Sequence, residues 1–109
     1  MGDVLKILGQ LDAAGTTSEA LYTVPNLVQA TTSTLVVCNR TGGALTYRIS
    51  AGVAGEALAD KQYIRYNKTI PASDSEDITI GMTLGQGDVV RVYTSAADIT
   101  FTLFGVETS

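Results

Sequence analysis

Eleven acidic residues and no histidine set the chemical limits of this 109-residue chain. Without an imidazole there is no Ser-His-Asp or Cys-His nucleophile pair, no common zinc site and no ordinary near-neutral acid or base. The one concentration of carboxylates is Asp74-Ser75-Glu76-Asp77. Two carboxylates flanking a cleft serve glycoside hydrolysis, and hard oxygens of this kind also hold Ca²⁺. These three instead stand at a turn entering a strand, and their spacing is not that of an EF-hand loop. Solvated charge is the simpler reading, so no catalytic residue, metal or cofactor is expected.

Other suggestive groups reduce in the same way. Gly85-Gln86-Gly87-Asp88 looks like a phosphate loop, but a phosphate loop leads into a helix, and a strand pattern follows here. A tight β-hairpin is the expectation. Cys38, the single cysteine, has no partner for an intrachain disulfide. With no His or Lys beside it in sequence it reads as a buried, inert thiol. Asn39-Arg40-Thr41 and Asn67-Lys68-Thr69 match the N-glycosylation pattern, which carries little weight without a secretory signal. The initial Met-Gly is no myristoylation site, because Lys6 stands where Ser or Thr is wanted. The tyrosines Tyr22, Tyr47, Tyr63, Tyr66 and Tyr93 are rigid and amphipathic, suited to glycan or protein contact.

The elements that must carry these residues are strands. In Leu35 to Ser50, LVVCNRTGGALTYRIS, a β-branched run meets a polar, glycine-bearing turn and then a strictly alternating run, the pattern of a β-hairpin. Leu45, Tyr47 and Ile49 share one face of its second arm. Glu76 to Leu84 alternates as cleanly, with Ile78, Ile80, Met82 and Leu84 inward. Further strands are expected at Leu21–Val24, Gln62–Asn67, Val89–Thr94 and Ile99–Val106. In Gln62–Asn67, alternation puts Tyr63 and Tyr66 on opposite faces, so at least one of them should enter the core. Ala51 to Asp60 reads as a glycine-broken loop. Seven or eight short strands without a helix indicate an all-β antiparallel sandwich, jelly-roll-like or immunoglobulin-like, with the strand order left open.

Residues 1–15 differ from the rest. Val4, Leu5, Ile7, Leu8 and Leu11 are apolar at mixed spacing between glycines, so the segment is one helical turn or an extended arm, which either docks on a partner or packs back on its own sheet. The domain reading is an N-terminal arm, 1–15, followed by one sandwich, 16–109.

Charged residues are 17% of the chain, below the roughly 25% of ordinary soluble domains, so polar uncharged side chains finish the surface. Such a surface loses its water at lower cost than a charged one and suits packing against copies or partners. The formal charge of −4 and the scattered basic residues argue against nucleic-acid binding. No apolar run is long enough for a membrane-spanning helix. The chain reads as soluble and made in the cytoplasm.

From about Leu21 to Val106 the order of blocks resembles a family of small virion structural proteins of tailed bacteriophages. The matching blocks are LYTVP, VVCNRTGGALTYRIS and KQYIRYNKTIPASDSEDITIGMTLGQGDVVRVYTSAADITFTLFGVE. The resemblance implies a non-enzymatic place in the virion. The first expectation is a capsid decoration, or cement, protein that binds and stabilises the lattice of the major capsid protein, commonly as a homotrimer. The alternative is a tail, neck or fibre component, an adaptor or a sandwich that binds a receptor or host-surface glycan. Under the first reading the partner contacts are expected on Val4, Leu5, Ile7 and Leu8, with Arg40 at the tip of the expected hairpin.

Overall fold

The computed structural model describes residues 2–109 and consists of strands, turns and two short 3-10 segments. Nine strands appear in chain order: β1 (Asp3–Asp12), β2 (Glu19–Thr23), β3 (Gln29–Asn39), β4 (Leu45–Gly52), β5 (Tyr63–Ile70), β6 (Ser75–Ile78), β7 (Thr83–Leu84), β8 (Val89–Thr94) and β9 (Ile99–Thr108). They form two antiparallel sheets. The first has the order β1-β9-β3-β6, with β7 also on β3; the second has the order β2-β8-β4-β5. With β6 and β7 taken as one interrupted strand, this is a sandwich of two four-stranded layers in jelly-roll order. An immunoglobulin-like fold would join neighbours by hairpins, whereas among the described residues β4 and β5 are the single pair of consecutive strands that bond to each other.

Two expected hairpins are therefore corrected. β3 and β4 do not pair: β3 lies in the first sheet and β4 in the second. The link between them is a corner built on Asn39, whose side chain is buried between the layers. Its amide nitrogen donates to the carbonyls of Gly43 (2.9 Å), Pro71 (3.1 Å) and Ile70 (3.3 Å), while Oδ1 accepts from the Thr41 amide (2.9 Å) and hydroxyl (2.7 Å). The Gly85–Asp88 turn crosses sheets too. Asp88 Oδ2 accepts from the Gly85 amide at 2.8 Å, and β8 then starts in the layer opposite β7.

The expected strand Glu76–Leu84 keeps its alternation, with Ile78, Met82 and Leu84 buried and Ile80 packed against the core. Its ladder breaks between Ile78 and Thr83, beside the stretch Thr32–Thr34 where β3 bulges against β9. The Thr32 side chain takes over there, donating to the Ile80 carbonyl (2.6 Å) and accepting from the Met82 amide (2.9 Å).

The core is filled from both layers, with Leu35, Val37, Phe101 and Leu103 of the first against Tyr47, Ile49, Val90 and Val92 of the second. Tyr47 meets Phe101 edge to face at 6.2 Å. At two points the layers and strands come too close for a side chain. A methyl group on Gly9 would overlap the Leu21 carbonyl, and one on Gly105 would overlap the Thr31 carbonyl and lie 2.8 Å from Leu8 Cδ1. Of the two readings of residues 1–15, the structure takes the second for most of the segment. Asp3–Asp12 is an edge strand paired with β9 along its whole length, with a bulge between Ile7 and Gly9. No helix of the described residues is long and apolar enough to cross a membrane.

Candidate functional site

The best-buried of the Asp74–Asp77 carboxylates is occupied structurally. Glu76 accepts the Tyr47 hydroxyl at 2.6 Å, with Lys68 3.8 Å from its other oxygen, in a cleft of about 390 Å³ between β5 and β6. Burial and the neighbouring carboxylate push the Tyr47 hydroxyl well above its ordinary value, so it stays protonated and donates. Among the described residues no group of three or more His, Cys, Asp or Glu is placed to hold a metal ion. Cys38 is corrected: it is half-buried on the outer face of the first sheet, opposite Ser75 and Thr100. The alternation of β3 turns Leu35, Val37 and Asn39 inward and leaves Val36 and Cys38 outside.

Two surfaces stand out instead. The first is an apolar stripe on the outer face of β1 and β9. Leu5 faces Val106 across the ladder, and Ile7 faces Phe104. Leu5 is 81% exposed and Ile7 46%, with Phe104 at 37%. Thr34 of β3 lies beside Phe104, so the stripe runs on into a threonine-rich surface. β1 is also an edge strand, hydrogen-bonded to β9 alone, so its outer backbone groups are open to another chain.

The expected contact residues divide across this geometry. Leu5 and Ile7 lie in the stripe. Val4 and Leu8 point to the other side of β1, where Val4 remains 55% exposed near the open end and Leu8 is buried in the core. Arg40 is at the far end of β1, held by Asp12 (2.7 Å) and 3.5 Å from Asp98. Seven residues of strand separate Leu5 from Asp12, about 23 Å at the usual rise, so Arg40 and the stripe are different places on the molecule. Phe104 and Val106 were not expected. Their signal was readable, since large apolar residues stand at the outward positions of an alternating strand whose inward ones are Phe101 and Leu103.

The second surface is the outer face of the second sheet. The Arg48 guanidinium lies 4.4 Å from the ring centres of both Tyr66 and Tyr93, and Tyr63 packs edge to face on Tyr66 at 4.9 Å. This corrects the expectation that Tyr63 and Tyr66 face opposite ways. The β4–β5 ladder shifts register between Tyr47 and Ile49 and again between Ile49 and Ser50, so parity along β5 is broken and neither ring enters the core. The core tyrosines are Tyr22 and Tyr47. The loop after β4, for which sequence offered no role, covers one end of this face. Gln62 and Arg91 close over the α-carbon of Gly52 there, and Asp88 Oδ1 accepts from the Ala54 amide at 2.9 Å.

Neither a protein-family model nor a curated protein sequence matches the chain. Solved structures do. A chain of infectious bursal disease virus, Gx strain, matches with a TM-score of 0.56 at 9% identity over 96% of this chain and 32% of its own length. A chain of the T13 particle of the same virus matches with a TM-score of 0.53 at 8% identity, over 96% and 29%. A pentameric capsid protein from metagenomic phage sequences follows with a TM-score of 0.41 at 14% identity, over 97% and 64%. The fold assignment rests on the first two. This chain spans about a third of the length of those two matches, and it shares their fold.

Proposed function

We propose that this chain is a non-enzymatic virion structural protein, a decoration protein that binds and stabilises the lattice of a major capsid protein in a tailed bacteriophage. The observation that carries the reading is the exposed stripe of Leu5, Ile7 and Phe104, with half-buried Val106 beside Leu5, along an open edge strand and its neighbour in a jelly roll. The resemblance of Leu21–Val106 to small virion proteins supports it, as does the likeness of fold to chains of a virus particle.

Cementing requires contact and no reaction. A protein that binds only the assembled lattice stabilises it by mass action. A homotrimer, with three stripes engaging neighbouring lattice subunits, raises the effective affinity without any new kind of contact. The contact proposed here centres on Leu5 and Ile7, with Val4 exposed on the opposite side of the same strand. Leu8 supports β1 from inside, and Arg40 fixes its far end.

The test is co-sedimentation of the purified protein with capsids stripped of decoration, wild type against Leu5→Asp/Ile7→Asp. Saturable binding by the wild type and its loss in the variant supports the reading. A protein that ignores capsids but binds tail particles or host-surface glycans overturns it in favour of a tail, neck or fibre role.

A further inference from the structure

The charges of this molecule are sorted by sheet. The strands of the first sheet carry Asp3, Asp12, Glu76, Asp77 and Glu107 against Lys6 alone, a formal −4. Those of the second carry Arg48, Arg65, Lys68 and Arg91 against Glu19 alone, a formal +3. A protein of net charge −4 thus has one layer that is cationic.

The outer face of that cationic layer is the Tyr63–Tyr66–Arg48–Tyr93 ladder. Arg48 donates through Nε to Asn67 Oδ1 at 2.7 Å, and among the described residues no carboxylate lies within 4.0 Å of it. Its two terminal nitrogens make no hydrogen bond, while the rings on either side hold the guanidinium in one orientation. A fixed guanidinium with its fork free is complementary to a carboxylate. Tyrosine and arginine are also the residue types that carry binding energy in protein–protein interfaces. On the first sheet Asp77 is exposed on β6, opposite Val36, and it has no cationic partner within 4.0 Å among the described residues.

We propose that a second copy of this chain is what the ladder binds: the Tyr–Arg face of the second sheet of one copy docks on the acidic first sheet of the next, with Arg48 meeting Asp77. Such a contact joins two different surfaces. It therefore closes into a ring where the rotation allows and extends as a filament where it does not. The β1 edge, which carries the Leu5–Ile7 stripe, is at the other edge of the first sheet from β6. The inference rests on charge placement and stands whether or not the lattice reading is correct.

Sedimentation equilibrium of the wild type, Arg48→Glu, Asp77→Lys and the double variant Arg48→Glu/Asp77→Lys tests it, with circular dichroism melting run alongside. The wild type is expected to self-associate, less so as salt rises from about 0.05 to 0.5 M. Each single reversal is expected to weaken association at least about tenfold, and the double reversal to restore it, as a swapped ion pair does in a mutant cycle. Asp77→Lys changes an exposed residue without a partner, so it reports on the contact even if Arg48→Glu fails to fold. A wild type that stays monomeric at about 100 μM overturns the proposal, as does a folded Asp77→Lys that associates like the wild type. Failure of the double variant to recover, or a monomer that binds glycans through the ladder, also overturns it.

Discussion

Tyr22 on β2 donates its hydroxyl to Glu107 on β9 at 2.6 Å, tying the second sheet to the first beside the paired chain ends. Lys6 lies 3.1 Å from the other Glu107 oxygen. At the opposite open side of the sandwich, Tyr47 on β4 donates to Glu76 on β6 at the same distance. Each gap between the layers is thus closed by a tyrosine from the second sheet and a glutamate from the first.

The first closure makes stability depend on acid. The Tyr22 hydrogen bond, and to a lesser degree Lys6, hold the Glu107 carboxyl below its ordinary value. A lowered folded value means that the contribution is complete above the unfolded value near 4.5 and fades as pH falls through the folded one. Urea unfolding of Tyr22→Phe should show a loss of about 1.5–3 kcal/mol at neutral pH, as for hydrogen bonds to charged groups. The gap to the wild type should narrow steadily below about pH 4. A gap independent of pH would mean that packing alone joins these residues.

Alkali acts on the tyrosines themselves. Burial and the adjacent carboxylate raise the Tyr22 and Tyr47 hydroxyls well above the ordinary value of 10. Their contribution is therefore present below pH 10 and is lost as pH climbs through the raised values. The phenolate absorbance of these two residues should appear together with loss of β structure. Comparison with Tyr22→Phe/Tyr47→Phe isolates their share; full ionisation of both in an intact fold would contradict the closure.

The corner at Asn39 gives the largest effect expected of one polar side chain. Asn39→Ala strands the Ile70 carbonyl and the Thr41 amide, which its buried side chain serves. The expected cost is about 3 kcal/mol, read as a lower denaturant midpoint at unchanged slope.

Adjacent leucines of β1 should separate two roles. Leu8→Ala removes a buried side chain and should cost about 2–4 kcal/mol. Leu5→Ser alters an exposed one and should stay within about 0.5 kcal/mol of the wild type while weakening the capsid binding proposed above. Equal thermal melts for the two variants would refute this division of β1.

Much of the sandwich was readable because alternation reports which side chains share a face. Leu45, Tyr47 and Ile49 pack inward as their spacing implies, and so do Ile78, Met82 and Leu84. Pairing was less legible. A polar link between two alternating strands looks the same whether the chain returns within its own sheet or crosses to the facing one, since the inward residues meet the same core in both cases. Asn39 settles which, through contacts to Ile70 and Pro71 that local sequence does not reveal. Parity also fails wherever a bulge intervenes. Tyr63 and Tyr66 come together through two register shifts in the β4–β5 ladder, and no residue in TYRIS or YIRYN announces them. The stripe was half visible: Leu5 and Ile7 stood among the expected contacts, but Phe104 becomes their neighbour only when β1 and β9 pair.

That pairing bears on how the molecule comes into being. β9 lies between β1 and β3, and both bond to it along most of their length. Until residues 99–108 leave the ribosome, the first sheet lacks its central member, and β1 has no strand to bond to. Folding of this sheet must therefore wait for β9 and then close the long loop that joins it to β1, the kind of search that takes milliseconds to seconds. In the interval β1 and β3 both expose unsatisfied edges, so the nascent chain is adhesive until β9 arrives.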